Sequence, residues 1–123
     1  MTTQQESEQF IFGSNIPREY VWWVSFDRDW EYDSNDEAPD GWVYSVSYLD
    51  PDDEDEERVL KKDIRHADLM RAARKIIDKD FVVNPDIRKE AQLMIFNPDE
   101  CDIDAGAADC ILQVAVLGDI VYG

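Results

Sequence analysis

Residues 20–48 read YVWWVSFDRDWEYDSNDEAPDGWVYSVSY. Tyr20, Trp22, Val24, Phe26, Trp30 and Tyr32 stand at even positions, interrupted only by Arg28, and Trp42, Tyr44, Val46 and Tyr48 resume the alternation after a break. Successive strand residues point to opposite faces, so this spacing predicts two strands that share an aromatic face. Between them SNDEAPDG, residues 34–41, gathers the Asn, Pro, Asp and Gly that turns require, which joins the strands into a long antiparallel hairpin. Nine of the 14 aromatic residues lie in this stretch, so the sheet is expected to supply most of the core volume. Trp23 falls on the face opposite Trp22 and is either a partner contact or covered by the N-terminal segment.

Downstream, the acidic run 50–57 (DPDDEDEE) cannot pack and reads as an exposed tip, after which RVLKKD, residues 58–63, is a possible third strand with Val59 pairing into the sheet. Helical spacing starts near His66: Ala67, Met70, Ala73, Ile76 and Ile77 fall on one side, while Arg71, Lys75 and Lys79 form a basic stripe on another. Asn84-Pro85-Asp86 combines a capping side chain, a first-turn proline and a dipole-complementing carboxylate, and Asn97-Pro98 stops that helix. A last helix is expected from about Asp104 to Leu117 with Gly118 as its cap, although CILQVAVL also suits a buried strand. Upstream, residues 1–9 are polar and expected to fray, and Phe10–Phe12 reads as a short strand or tether before Gly13 and Pro17. The expected fold is a single α+β domain: an antiparallel β-meander, built from the long aromatic hairpin and the third strand, packed by three C-terminal helices.

The chain has 123 residues, with 29 acidic and 12 basic, for a formal charge of −17. Such a balance excludes a direct nucleic-acid or anionic-membrane binder. With 44% apolar residues there is enough material for a real core. No stretch approaches the roughly eighteen apolar residues of a membrane span, and MTTQQESEQ has neither a basic nor an apolar leader region. Two cysteines without CxxC spacing fit a reducing compartment, so cytoplasmic residence is expected. The charge is unevenly placed: residues 27–57 carry a net −13, whereas residues 58–93 carry +4. Salt adaptation would explain a uniformly acidic surface, and the basic stretch weighs against it.

Little in the sequence points to chemistry. His66 is the only histidine available as a base, and its place at a helix start suits a capping or surface role. Cys110 reads as a buried structural thiol, and Cys101, Cys110 and one distant histidine do not make a zinc site. Asp50, Asp52, Glu54 and Glu56 alternate as calcium-loop ligands do, but the glycine of the sixth loop position is missing. Phosphate-cradling glycine loops are absent as well, so neither an enzyme, a metal nor a cofactor is expected.

What remains is recognition. On an extended strand Asp27, Asp29, Glu31 and Asp33 would place carboxylates about 6–7 Å apart in a row, comparable with successive phosphates of a nucleic-acid strand. Backed by Asp36 and Glu37, and by Asp52, Asp53, Glu54 and Asp55 of the acidic run, the row would fit the basic nucleic-acid-binding groove of another protein. Trp23 is the candidate apolar contact beside it. The alternatives are a solvated sheet face, neutralisation of the acidic tip by the basic helix face (Arg71, Lys75 and Lys79) or by Arg58, Lys61 and Lys62 of the same chain, and an assembly module that forms a homodimer or joins a virion.

The ending AADCILQVAVLGDIVYG, preceded by HADLMRAARKIID, resembles small uncharacterised acidic accessory proteins of actinobacterial phages and prophages. That resemblance brings no established activity and no functional residue. It implies a setting in the host cytoplasm, where small acidic phage proteins antagonise restriction, CRISPR or other DNA-binding machinery.

Overall fold

A computed structural model describes residues 2–13, 20–55 and 57–122 of the chain. Three strands, β1 (Trp23–Asp27), β2 (Tyr44–Leu49) and β3 (Val59–Ile64), form an antiparallel sheet in sequence order. Four helices accompany it: α1 (Gln4–Glu8), α2 (His66–Ile77), α3 (Pro85–Phe96) and α4 (Ala105–Leu117). The architecture is α+β with most of the helices C-terminal to the sheet, and the third strand forms where RVLKKD suggested it.

The two leading strands depart from the long hairpin that alternation implied. β1 ends at Asp27 and β2 starts at Tyr44, leaving a connection over residues 28–43 in place of extended strand. Alternation also breaks inside β1. Trp23 pairs with Tyr48 but Ser25 pairs with Ser47, so Val24 is an extra residue inserted as a β-bulge. The bulge shifts the side-chain period by one: Trp23 and Phe26 both face the core, with Trp23 at 6% exposure, while Val24 turns outward at 50%. The aromatic face is therefore not set by even numbering.

On β2, Tyr44, Val46 and Tyr48 are buried, and Ile64 joins them from β3. Ser25, Asp27, Ser45, Ser47, Lys61 and Asp63 occupy the opposite face, which is polar. The helices pack on the aromatic side. α4 is the innermost, with Ala107, Ala108, Ile111, Leu112, Val114 and Val116 all buried, which resolves its Val/Ile run as helix. Asp104 caps its start by accepting from the Ala107 amide at 2.8 Å, and Gly118 closes it at φ 83°, a left-handed conformation that a glycine adopts without penalty. Asn84 and Pro85 open α3 as expected, with Asn84 Oδ1 accepting from the Asp86 amide at 2.8 Å.

The N-terminal segment is folded where fraying was expected. Thr3 and Glu6 form a reciprocal capping box at the start of α1, and Thr2, Ser7 and Glu8 are buried. Phe10–Phe12 belongs to a wide helical turn over Gln9–Gly13, not to a strand, and buries Ile11 and Phe12. Polar composition misled because the polar groups of this segment bond specific partners far along the chain, among them the Ala38 carbonyl and the Gly41 amide.

The basic stripe of α2 is also redirected. Lys75 Nζ bonds the Gly118 carbonyl, and Lys62 Nζ reaches the Val116 carbonyl at 3.4 Å, so two cations serve the C-terminal end of α4. Arg88 similarly donates to the carbonyl of Ile76 in the last turn of α2, and also to that of Phe81 in the loop beyond it. Helix C-termini carry partial negative charge on unpaired carbonyls, which these side chains satisfy. Lys79 lies past the end of α2.

Candidate interaction surface

Fourteen acids fall in residues 27–57, and the sheet separates them into two groups. Residues 28–43 join the end of β1 to the start of β2, whereas residues 50–58 join the end of β2 to the start of β3. The acidic groups therefore sit at opposite ends of β2, about 17 Å apart by strand rise. The run 50–57 does not back the carboxylates of residues 27–40.

The expected row of Asp27, Asp29, Glu31 and Asp33 does not exist as a strand face, because only Asp27 lies on a strand. All four remain exposed, as do Asp36 and Glu37. Asp33 also shapes its own loop. Its Oδ1 accepts from the amides of Asn35 at 2.8 Å and Glu37 at 3.1 Å, which fixes the turn in which Asp36 adopts φ 60°. At the other end Asp52, Glu54 and Asp55 are exposed, but Asp53 is a loop organiser. The amides of Arg58, Asp55 and Glu57 donate to its carboxylate, and they hold it below the usual carboxylate range. Glu56 lies outside the described residues.

Trp23 is not a surface contact. Its Nε1 donates to Asp109 Oδ1 at 2.7 Å, beside Trp22 Nε1 at 2.8 Å, while Gln113 Nε2 donates to Oδ2 at 2.7 Å. Asp109 is itself buried, and two indoles and an amide satisfy it. Trp23 itself therefore offers no apolar contact at the surface, although Val21 and Val24 on either side of the Trp22–Trp23 pair are exposed.

What distinguishes residues 28–43 is how firmly the N-terminal segment holds them. Gln5 Nε2 donates to the Ala38 carbonyl at 3.1 Å and to Asp40 Oδ1 at 2.8 Å. Gln9 Nε2 donates to the Asp36 carbonyl at 3.1 Å, Gln4 Oε1 accepts from the Gly41 amide at 2.6 Å, and Trp42 Nε1 donates to the Gln4 carbonyl at 2.8 Å. Deeper in, the hydroxyls of Tyr32 and Tyr44 both donate to Glu8 Oε1, Tyr44 at 2.7 Å. Burial is the main cause that pushes both phenols above their ordinary pKa. Two exposed carboxylates 7 Å apart repel by only about 0.6 kcal/mol in water. A net gain of about 1 kcal/mol for each anchoring hydrogen bond is enough to hold such charges side by side.

Among the described residues no ion pair reaches residues 29–40, whereas at the other acidic end Arg58 pairs with Asp50 at 3.7 Å, and on α2 Arg71 pairs with Asp68. The one base inside the acidic segment, Arg28, is stacked on Trp30 and Tyr32.

Other chemistry-bearing groups are occupied. Ser7 Oγ lies 2.7 Å from His66 Nδ1 and also donates to the Gln4 carbonyl at 3.0 Å, but Ser7 is fully buried, so the pair ties α1 to α2 and presents no nucleophile to solvent. His66 is the first residue of α2, as its helix-start position implied, and it is half-buried. Burial raises the Cys101 thiol to about 12 and Cys110 to about 11, which keeps both protonated near neutral pH. Cys110 is half-buried. Among the described residues, no group of three or more His, Cys, Asp or Glu is arranged to hold a metal ion, and no helix is long and apolar enough to cross a membrane.

Comparison with protein-family profiles, with curated proteins and with solved structures finds no match to this chain.

Proposed function

We propose that the chain is a non-enzymatic acidic inhibitor that occupies the basic nucleic-acid-binding groove of another protein, in the phage-type, anti-defence setting that the C-terminal resemblance implies. The observation that carries this reading is the surface of residues 27–40. Asp27, Asp29, Glu31, Asp36, Glu37 and Asp40 are exposed, and the loop that carries most of them is tied down by Gln4, Gln5 and Gln9 at the backbone of residues 36–41 and by Glu8 at the Tyr32 hydroxyl. A merely solvated face has no need of such anchoring. Carboxylates carried on a loop held in advance compete with the phosphates of a nucleic acid for a cationic groove at a reduced ordering cost.

The test is capture from a host lysate at low and high salt by the intact chain and by two charge-reversed forms. Changing Asp29, Glu31, Asp36 and Glu37 to Lys is expected to abolish recovery of DNA-binding or nuclease proteins. Reversal of Asp52, Glu54 and Asp55, at the far end of β2, is expected to preserve it. Asp33 is left intact because it shapes the turn. Undiminished capture by the first variant, or recovery of no nucleic-acid-binding protein by the intact chain, sinks the proposal.

A further inference from the structure

Arg28 is the only base in residues 27–57, and its surroundings are unusual for a surface arginine. The Trp30 ring stands perpendicular to Tyr32, at 87° with centroids 5.1 Å apart, and to Tyr44, at 89° and 5.3 Å. The guanidinium carbon lies 4.3 Å from the Tyr32 centroid and 4.7 Å from that of Trp30, and Nη1 donates to the Tyr44 hydroxyl at 3.3 Å. Both distances are within cation–π reach. Two aromatic walls and the Tyr44 hydroxyl thus hold one exposed cation.

Those walls stand without Arg28. Tyr44 stacks on Phe12 at 3.9 Å and 15°, and Trp30 Nε1 donates to the Val43 carbonyl at 3.1 Å. The hydroxyls of Tyr32 and Tyr44 are tied to Glu8, which is fully buried and whose Oε2 has no partner. The cage is therefore complementary to a guanidinium whichever chain supplies it. Beside it opens a cleft of about 460 Å³ lined in part by Asp27, Asp29 and Asp63 together with Arg65, so a displaced Arg28 finds three carboxylates against one other cation in place of ring faces. Because Arg28 is exposed, neither its departure nor an incoming side chain requires the core to open.

We propose that the Trp30–Tyr32–Tyr44 cage is a recognition site for an arginine of the partner protein, with Arg28 as its resident stand-in. The partner's guanidinium enters the cage, and Arg28 moves to the cleft carboxylates. Arginine is favoured over lysine because only a planar guanidinium stacks on a ring face while donating in its own plane to the Tyr44 oxygen. This deepens the groove-occupying reading, since such grooves carry arginine, and for its biological role it rests on that reading.

The test uses N-acetyl-arginine methylamide and its lysine counterpart as probes, followed through the indole N–H resonance of Trp30. Trp22, Trp23 and Trp42 serve as internal reporters of an intact fold. In Arg28→Ala the arginine probe is expected to shift Trp30 saturably, about tenfold more tightly than the lysine probe, and about tenfold more tightly than in the unaltered chain, where Arg28 competes. Adding Trp30→Leu, read on the side-chain resonances of Tyr32 and Tyr44, is expected to remove the effect. If Arg28→Ala loses the native Trp22, Trp23 and Trp42 signals, Arg28→Gln takes its place. In the unaltered chain, high concentrations of the arginine probe are expected to move the Arg28 Nε–H resonance. No saturable shift in a folded Arg28 variant, or equal response to both probes, overturns the cage. Either result leaves groove capture standing, whereas probe binding without any captured protein overturns the groove reading alone.

Discussion

Trp22 and Tyr122 lie face to face, their ring centroids 5.1 Å apart and their planes within 4° of parallel. Tyr20 also stacks on Trp22, at 4.9 Å, and the Tyr122 hydroxyl donates to the Leu49 carbonyl at 2.9 Å. Gln113 Oε1 accepts from the amides of Val121 and Tyr122, both at 2.8 Å, so the C-terminal residues are bound by backbone and side chain alike. Replacing Tyr122 by Ala is expected to lower stability by about 1.5–3 kcal/mol through lost burial and stacking. Urea unfolding followed by Trp fluorescence measures the change.

Asp109 gathers three donors, and removing it leaves the buried Trp23 indole without its acceptor and takes one partner each from Trp22 and Gln113, the latter keeping the Tyr122 carbonyl. Asp109→Ala is expected to cost about 3 kcal/mol or more, a large share of the roughly 5–15 kcal/mol typical of a domain. Trp22→Phe, which takes away one donor and leaves the others, should cost about 1–2 kcal/mol. A loss below about 1 kcal/mol for Asp109→Ala, read from denaturation midpoints at unchanged slope, contradicts the network's importance.

Alkaline pH should loosen the attachment of residues 28–43. Burial, then hydrogen bonding with Tyr32 and Glu8, lifts Tyr44 far above its ordinary value of 10, and Tyr32 is raised too. Above pH 10 the unfolded chain has released protons that the folded chain still holds. Stability is therefore complete below that pH and declines as pH rises. Absorbance titration should show Tyr32 and Tyr44 ionising only with unfolding, and Tyr44→Phe should flatten the decline.

His66 gives the opposite dependence on the acid side. Burial, and the nearby charge of Arg74, depress it below its ordinary 6.5. Below pH 6.5 the unfolded chain binds a proton that the folded chain refuses, so stability present above this pH is lost as pH falls through the lowered value. Melting temperatures between about pH 7 and pH 5 should fall less steeply in His66→Asn than in the unaltered chain, before the carboxylates begin to titrate.

Much of the fold is legible from local chemistry. Asn84-Pro85, Asp104 and Gly118 mark helix ends because caps act within a few residues, and the Val/Ile run of α4 is ambiguous only until the helices around it are seen. The bulge at Val24 leaves no composition signal, since it is set by pairing with β2, and it reversed the roles of Trp23 and Val24. Trp30 and Tyr32 kept strand spacing while lying on a loop because they enclose Arg28 and reach Glu8, which is 24 positions away from Tyr32. A lone glutamate in a polar N-terminus gives no hint of that contact. The acidic residues themselves were plain, but Asp33 and Asp53 could be separated from their neighbours only by the backbone amides they accept.

The placement of carboxylates at both ends of β2 makes the molecule electrostatically two-headed. A flat cationic partner that covers residues 27–40 leaves Asp52, Glu54 and Asp55 about 17 Å away and in water, beyond the roughly 8 Å screening length at physiological salt. The salt sensitivity of capture then reports the charges of one head and not the full −17.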